Sequence, residues 1–377
     1  MNSFTGSSRK GLIAKLYEIN WLLPVLVALV GMVGVTMIYA ATDGVWDLGA
    51  QQHLIRLVLA GGVMIGIAVF DIKIWYNLAY PAYLATLILL IAVDVAGVSV
   101  NGSQRWLDLQ LIRLQPSELM KLAIVLALAR YFHDMAKWRI SHPTGLMGAL
   151  LIILIPMALI LRQPDLGTAL LVAATGFTIV FLAGINWRVI SSAFIAAVVA
   201  IPLFIQFGLK PYQRSRILTF FDPSRDPSGA GYHITQSKIA LGSGGVTGKG
   251  FMNGTQRQLE YVPENRTDFI FTVIGEEFGL VGSLATIGLY ISVIGLCLWL
   301  STQCKHYFSR LLILGVTTTF TLYIFINLGM VMGLLPVVGV PLPLISYGGT
   351  VIVTVMAGFG LILSAHLYRR NELPRGI

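Results

Sequence analysis

The feature that most constrains this chain is a succession of long apolar runs separated by mostly short polar connectors. A helix of about 17–25 apolar residues matches the hydrocarbon thickness of a bilayer. About ten runs meet that criterion: 20–41, 54–70, 75–96, 117–134, 144–161, 165–183, 188–207, 269–300, 309–334 and 348–368. Backbone groups inside a bilayer must be satisfied within the protein, which favours helices. The expected fold class is therefore an all-α polytopic membrane protein, with one transmembrane domain over residues 1–377. Composition agrees: 11% of residues are charged, against roughly 25% in soluble domains. A soluble enzyme or a nucleic-acid-binding module is excluded on that ground.

The run at 269–300 is longer than a bilayer requires, so it tilts or extends beyond the membrane. Leu12, Ile13, Leu16 and Ile19 form an apolar stripe before the first span, predicting a short interfacial helix. Arg9, Lys10 and Lys15 ahead of the first run look like a secretory leader. That run is too long for one and lacks a small-residue cleavage site, so it is expected to remain as an anchor. Cys297 and Cys304 have neither disulfide-framework nor metal-ligand spacing.

The net charge is +9. Lysine and arginine gather in cytoplasmic loops of membrane proteins. Lys73, Arg139, Arg188, Lys305, Arg369 and Arg370 fall on the same side as the N-terminus, while fewer basic residues, among them Arg56, Arg113 and Arg162, fall opposite. Both termini are thus expected in the cytoplasm and the long loop 208–268 outside. The excess of positive charge also suits an anionic substrate or lipid head group. The loop is long enough to expect function. Its Tyr212, Phe220, Phe221, Tyr232, Ile234 and Phe251 predict a folded cap, helical around 231–242, rather than a disordered linker.

Four polar segments converge on the outer side by topology. Gln115-Pro116-Ser117-Glu118-Leu119-Met120-Lys121 opens the fourth span, with proline suited to a first turn and Glu118 and Lys121 on one helix face. An ion pair there could be purely structural. Arg162-Gln163-Pro164-Asp165-Leu166-Gly167-Thr168 opens the sixth, where Asp165 complements the helix dipole as a cap or serves a site. In the loop, Gly242-Ser243-Gly244-Gly245-Val246-Thr247-Gly248-Lys249-Gly250 resembles a phosphate loop. Ser243 stands where its first glycine belongs and Gly250 where Ser or Thr should follow the lysine. What remains is either a flexible turn or a concave backbone anion site beside Lys249. Finally, Arg266-Thr267-Asp268-Phe269 runs straight into the eighth span, placing Asp268 at the mouth of a helix as a plain N-cap or as a reactive carboxylate.

These segments together resemble the shape, elongation, division and sporulation (SEDS) family. The resemblance rests on Arg105-Trp106-Leu107-Asp108, Gln115-Pro116-Ser117-Glu118 and Gln163-Pro164-Asp165-Leu166-Gly167-Thr168. It continues through Gly231-Tyr232-His233, Gln236-Ser237-Lys238, Gly242-Ser243-Gly244-Gly245 and Thr267-Asp268-Phe269-Ile270-Phe271. It closes on Asn327-Leu328-Gly329-Met330 and Pro341 through Gly349. It spans essentially the whole chain, in order, with a small departure at Thr350-Val351. Gln104-Arg105-Trp106-Leu107 looks more like the elongation branch than the division branch.

The resemblance implies a peptidoglycan glycosyltransferase in the bacterial inner membrane. It would polymerise lipid II, an undecaprenyl-diphosphate-linked disaccharide peptide, into β-1,4-linked strands for cell elongation. It places a general base at Asp268. Arg214, Arg216, Lys238, Lys249 and Arg266 are then candidates for the diphosphate, because guanidinium and ammonium groups bind phosphate oxygens strongly. Glu118, Lys121 and Asp165 would form a supporting or substrate-binding polar cluster. A divalent cation (Mg or Mn) beside the diphosphate is compatible with this chemistry, although no ligand set is legible. The implied partners are a class B penicillin-binding protein and other elongation-complex membrane proteins. Two other classes fit a polytopic basic chain. A lipid II flippase should carry charges near mid-membrane, whereas here they collect at the outer boundary, with Asp94 and Lys121 the nearest exceptions. A non-catalytic scaffold for wall synthesis should tolerate replacement of Asp268.

Overall fold

A computed structural model describes residues 11–100, 103–108, 113–163, 165–192, 195, 198, 211–222, 225–226, 229–255 and 266–374. A short helix, α1 (Leu12–Glu18), precedes α2 (Leu22–Ala41), α3 (Ala50–Val69) and α4 (Ile72–Ala96). A small antiparallel sheet follows, formed by β1 (Val98–Val100), β2 (Ser103–Asp108) and β3 (Arg113–Leu114) in the order β1-β2-β3. Then come α5 (Pro116–Asp134), α6 (Pro143–Arg162), α7 (Leu166–Leu182), α8 (Pro211–Phe221) and α9 (Ala230–Ser243). The last three helices are α10 (Ile270–Thr302), α11 (Tyr307–Val331) and α12 (Gly349–Leu367).

Seven helices among the described residues are long and apolar enough to cross a membrane: α2, α3, α4, α6, α10, α11 and α12. Helix α7 is apolar but has only 17 residues. Helix α5 has the length, but Glu118, Lys121, Arg130 and Asp134 lower its apolarity. Most of the expected span 188–207 lies outside the described residues. The helical expectation holds for the membrane part. The sheet departs from an all-α chain: outside the helices Val98, Ser99 and Val100 pair with Trp106, Gln104 and Ser103, and Leu107 and Asp108 pair with Leu114 and Arg113.

Burial separates centre from periphery. In α12, 78% of the spanning window is buried inside the protein and in α11 67%, against 22% in α10. Helices α11 and α12 therefore form the middle of the bundle, while α3, α4, α6 and α10 turn apolar stripes outward, as a lipid-facing helix should. Leu284, Ile291 and Leu298 in α10 mark such a stripe.

Helix α10 is broken, which accounts for its 33 residues. At 1.5 Å per residue it would run about 50 Å, well beyond the roughly 30 Å hydrocarbon core. Gly279 has φ 65° and ψ −154° and interrupts the ladder. The groups this frees are taken up by the glycine-rich segment. Lys249 and Gly250 N–H donate to the carbonyls of Glu276 and Glu277, both at 3.0 Å. In return Leu280 and Val281 N–H donate to the carbonyls of Gly245 and Val246, at 3.0 and 3.1 Å. A Cβ at position 248 would stand 2.1 Å from the Glu277 carbonyl oxygen, so only glycine permits the approach. Residues 270–277 are buried throughout, whereas Leu280 and Val281 just past the break are exposed.

Candidate functional site

The N-termini of α5, α7, α10 and α12 and the C-terminal end of α11 meet at one end of the bundle, and the polar motifs meet with them. The segment 332–348 joins α11 to α12 there and is held from several sides. His53 Nε2 donates to the Leu344 carbonyl at 3.0 Å, and Tyr290 donates to Pro343 O at 2.7 Å. Ser346 Oγ donates to Thr267 O at 2.5 Å and accepts from Leu342 N at 2.8 Å. Asn327 Nδ2, from the last turns of α11, donates to both Asp268 O and Val340 O at 2.7 Å.

Asp268 sits one residue before Phe269, which occupies the N-cap position of α10 and makes no capping hydrogen bond through its own side chain. Its carboxyl is half-buried beside Gly339, where a Cβ would stand 3.4 Å from Asp268 Oδ2 and where φ is +72°. The buried ring of Phe269 lies 5.8 Å from His233 on α9, which brings the cap helix over the same place.

Two of the five candidate cations converge on this turn. Arg216, exposed on α8, donates through Nη1 to Val337 O at 3.3 Å. Lys238, exposed on α9, lays its side chain over Gly333, whose φ is +68° and where a Cβ would stand 2.7 Å from Nζ. Its neighbour Ser237 donates to Val331 O at 2.6 Å and fixes α9 against the end of α11. Arg266 is exposed, and its carbonyl accepts from Tyr347 N at 2.9 Å. Arg214 is exposed on α8.

Lys249 is placed differently. Its Nζ lies 2.7 Å from Glu276 Oε1 and donates to Thr255 Oγ1 at 2.7 Å, with Glu276 only 2% exposed. Burial makes an unpaired carboxylate unfavourable and holds its counter-ion in place. Lys249 is thus committed to Glu276. Nor is the glycine run an anion cradle: the Lys249 and Gly250 amides bond to α10, and Gly248 N donates to Gly244 O.

The Glu118–Lys121 pair forms as the spacing predicts, with Nζ 2.6 Å from Oε1. It is sealed, at 4% and 1% exposure, and Tyr323 of α11 closes it by donating to Glu118 Oε2 at 2.6 Å while also contacting Lys121 Nζ. A small cavity of about 20 Å³ lies next to Lys121, lined by Leu122, Phe320, Thr354 and Phe359 among others. Asp165 is the N-cap of α7 and accepts from Thr168 N at 3.1 Å. Strand β2 brings Arg105 to it, with Nη1 3.7 Å from Asp165 Oδ2. The start of α7 also packs on the turn beside Asp268: a Cβ at Gly167 would stand 2.7 Å from Val338 O.

Asn327 entered the sequence reading only as the first residue of a family motif, with no role of its own, and Tyr323 and Glu276 were not singled out. Two adjacent glutamates inside an apolar run, Glu276-Glu277, were the available signal for the last. Among the described residues, no three His, Cys, Asp or Glu side chains converge on one point.

A polytopic helical bundle with a half-open carboxylate on a pinned turn at one end, covered by basic cap helices, defines the class. The chain belongs to the FtsW/RodA/SpoVE family, described as cell cycle proteins, which it matches over residues 17–371. It is 45% identical over 326 residues to the peptidoglycan glycosyltransferase MrdB of Escherichia coli K12, covering 86% of this chain and 87% of that one. It is 33% identical over 363 residues to a probable peptidoglycan glycosyltransferase FtsW of Trichlorobacter lovleyi, covering 93% of each. Among solved structures it is similar to a chain from a study of how a peptidoglycan synthase complex coordinates polymerization and crosslinking. That match has a TM-score of 0.82, 31% identity, and coverage of 94% of this chain and 99% of the other. It is also similar to the rod shape determining protein RodA of Thermus thermophilus, with a TM-score of 0.70, 28% identity, and coverage of 94% and 98%.

Proposed function

We propose that this chain is a peptidoglycan glycosyltransferase that polymerises lipid II, with Asp268 as its general base. The observation that carries the reading is the Asp268 carboxyl: half-exposed beside a glycine, on backbone held by Asn327, in a chain 45% identical to an enzyme of that activity. The 4-hydroxyl of the incoming disaccharide attacks the anomeric carbon of the growing strand. The new carbon–oxygen bond forms as the bond to diphosphate breaks, the configuration inverts, and undecaprenyl diphosphate leaves with the electron pair. Asp268 takes the hydroxyl proton, a contribution of roughly 10²–10⁴-fold for a well-placed base. Diphosphate is a good leaving group whose developing charge calls for cations. Arg216 and Lys238, at the rim of the same turn, are the best placed for that. Arg214 and Arg266 are secondary, and Lys249 braces the cap instead.

A divalent cation (Mg or Mn) would be held largely by the diphosphate oxygens, because the described residues offer no cluster of three ligands. The steps above use only the chain's own groups. Glu118, Lys121 and Tyr323 brace α5 against α11, and Asp165 with Arg105 braces the rim.

The finer membrane reading belongs to the same proposal. Adding α5, α7 and the span expected at 188–207 to the seven apolar helices gives ten, with both termini cytoplasmic and the 208–268 loop extracytoplasmic, in the bacterial inner membrane. The expected partners are a class B penicillin-binding protein, which crosslinks the strands, and other elongation-complex membrane proteins. The similarity to a chain of a peptidoglycan synthase complex supports the first.

The test is purified protein with its partner in detergent, given labelled lipid II. The expected outcome is glycan polymer with no vesicle barrier present. No polymer in detergent, together with lipid II transport in vesicles, would instead establish a flippase.

A further inference from the structure

Asn327 is fully buried near the end of α11, and both hydrogens of its amide are committed. They reach two carbonyls that lie 59 and 13 residues away in sequence, Asp268 O and Val340 O, each at 2.7 Å. The amide oxygen Oδ1 has no hydrogen-bond partner among the described residues. A buried acceptor left unmet is unfavourable, and packing alone would be served by a leucine of similar volume. The residue is therefore explained by what its N–H groups do.

They join two pieces of irregular backbone that no helix or sheet ladder connects. Arg266 O is held by Tyr347 N and Thr267 O by Ser346 Oγ. Asp268 O rests on Asn327. The other carbonyl Asn327 holds belongs to Val340, next to Gly339, which flanks the Asp268 carboxyl. One side chain thus sets the spacing between the Asp268 backbone and the 339–340 turn beside its carboxylate.

We propose that Asn327 is a positioning residue for Asp268, holding its peptide against the 339–340 turn so that the carboxylate stays beside Gly339. This rests on the reading of Asp268 as general base. It predicts an effect on the rate of the bound complex and little effect on lipid II binding, because Asn327 touches backbone and is sealed from the site.

Three variants test it in the full-length protein with its partner. Asn327→Leu keeps the volume and removes both donors. Asn327→Asp keeps the shape and turns an acceptor toward two carbonyls. Asn327→Ser keeps one donor. With rates normalised to folded protein, kcat is expected to fall about tenfold or more in the first two and less in Asn327→Ser. KM for lipid II is expected to stay within about twofold. A wild-type kcat in folded Asn327→Leu, or a raised KM with kcat intact, overturns the proposal. If the first two variants do not fold, Asn327→Ser decides by the same criteria. A second readout separates this proposal from the glycosyltransferase reading. Hydrogen–deuterium exchange of the 266–269 amides should accelerate in the Asn327 variants whether or not wild-type protein makes polymer. Unchanged exchange sinks the positioning role alone, and absence of polymer from wild type sinks the activity alone.

Discussion

Glu118–Lys121–Tyr323 and Asp268 present two ways of keeping charge at the same end of one bundle. The first is sealed: Glu118 and Lys121 saturate each other, Tyr323 takes the remaining carboxylate oxygen, and exposure is 4% or less. The second is half-buried: Asn327 ties the backbone of Asp268, and Gly339 lies beside the carboxyl. A saturated buried cluster joins helices. A half-exposed carboxylate on a fixed backbone is suited to meet a substrate. Sequence alone put both in one polar constellation, and the structure separates them by exposure.

The contrast breaks most sharply at Asp268. Asp268→Ala is expected to abolish polymerisation of labelled lipid II, a loss of at least the roughly 10²–10⁴-fold expected of a general base, while insertion into membranes is retained. Wild-type-like polymer from this variant would reduce the chain to a scaffold. Next in size is the sealed cluster. Lys121→Met leaves Glu118 buried without its cation, and losing one partner of a buried pair costs about 3–5 kcal/mol. Thermal unfolding in detergent should show it as a large drop in Tm. The double change Glu118→Gln with Lys121→Met should recover part of that stability, since no buried charge is stranded.

Lys249 gives a smaller effect. Its pair with Glu276 is partly open on the lysine side, at 26% exposure. Lys249→Met should lower unfolding stability by about 1–3 kcal/mol, the penalty for an unmet buried polar group, and leave KM for lipid II unchanged. A raised KM with unaltered stability would return Lys249 to the diphosphate. The smallest effect is at the opposite end of the bundle. Cys304, in the connector between α10 and α11, is buried, and burial pushes its thiol up to about 11, offset in part by Arg369 and Arg310. The thiolate is the reactive form, so alkylation at pH 8 should be negligible in the folded protein and appear on unfolding. Ready labelling at pH 8 would place that connector in solvent.

The helical membrane architecture was legible because apolar run length is a one-dimensional signal. So was the Glu118–Lys121 pair, because three residues along a helix fix a shared face. The helix at 230–243 was visible in its aromatic and aliphatic content. For the glycines around Lys249 the sequence left a flexible turn and an anion site both open. They are room for the backbone of α10, and a contact between residues 245–250 and 276–281 leaves no local pattern. Tyr323, and the contacts though not the motif of Asn327, were hidden for the same reason, since each side chain meets a segment distant in the chain. The small sheet at 98–114 was overlooked because short strands beside long spans contribute little to a hydropathy reading.

The most direct measurement sets Asp268→Asn beside wild type in detergent, scoring polymer formed per folded molecule together with Tm. The account predicts no polymer at an unchanged Tm, because the amide keeps the shape and loses the base. Polymer at the wild-type rate from Asp268→Asn would contradict it.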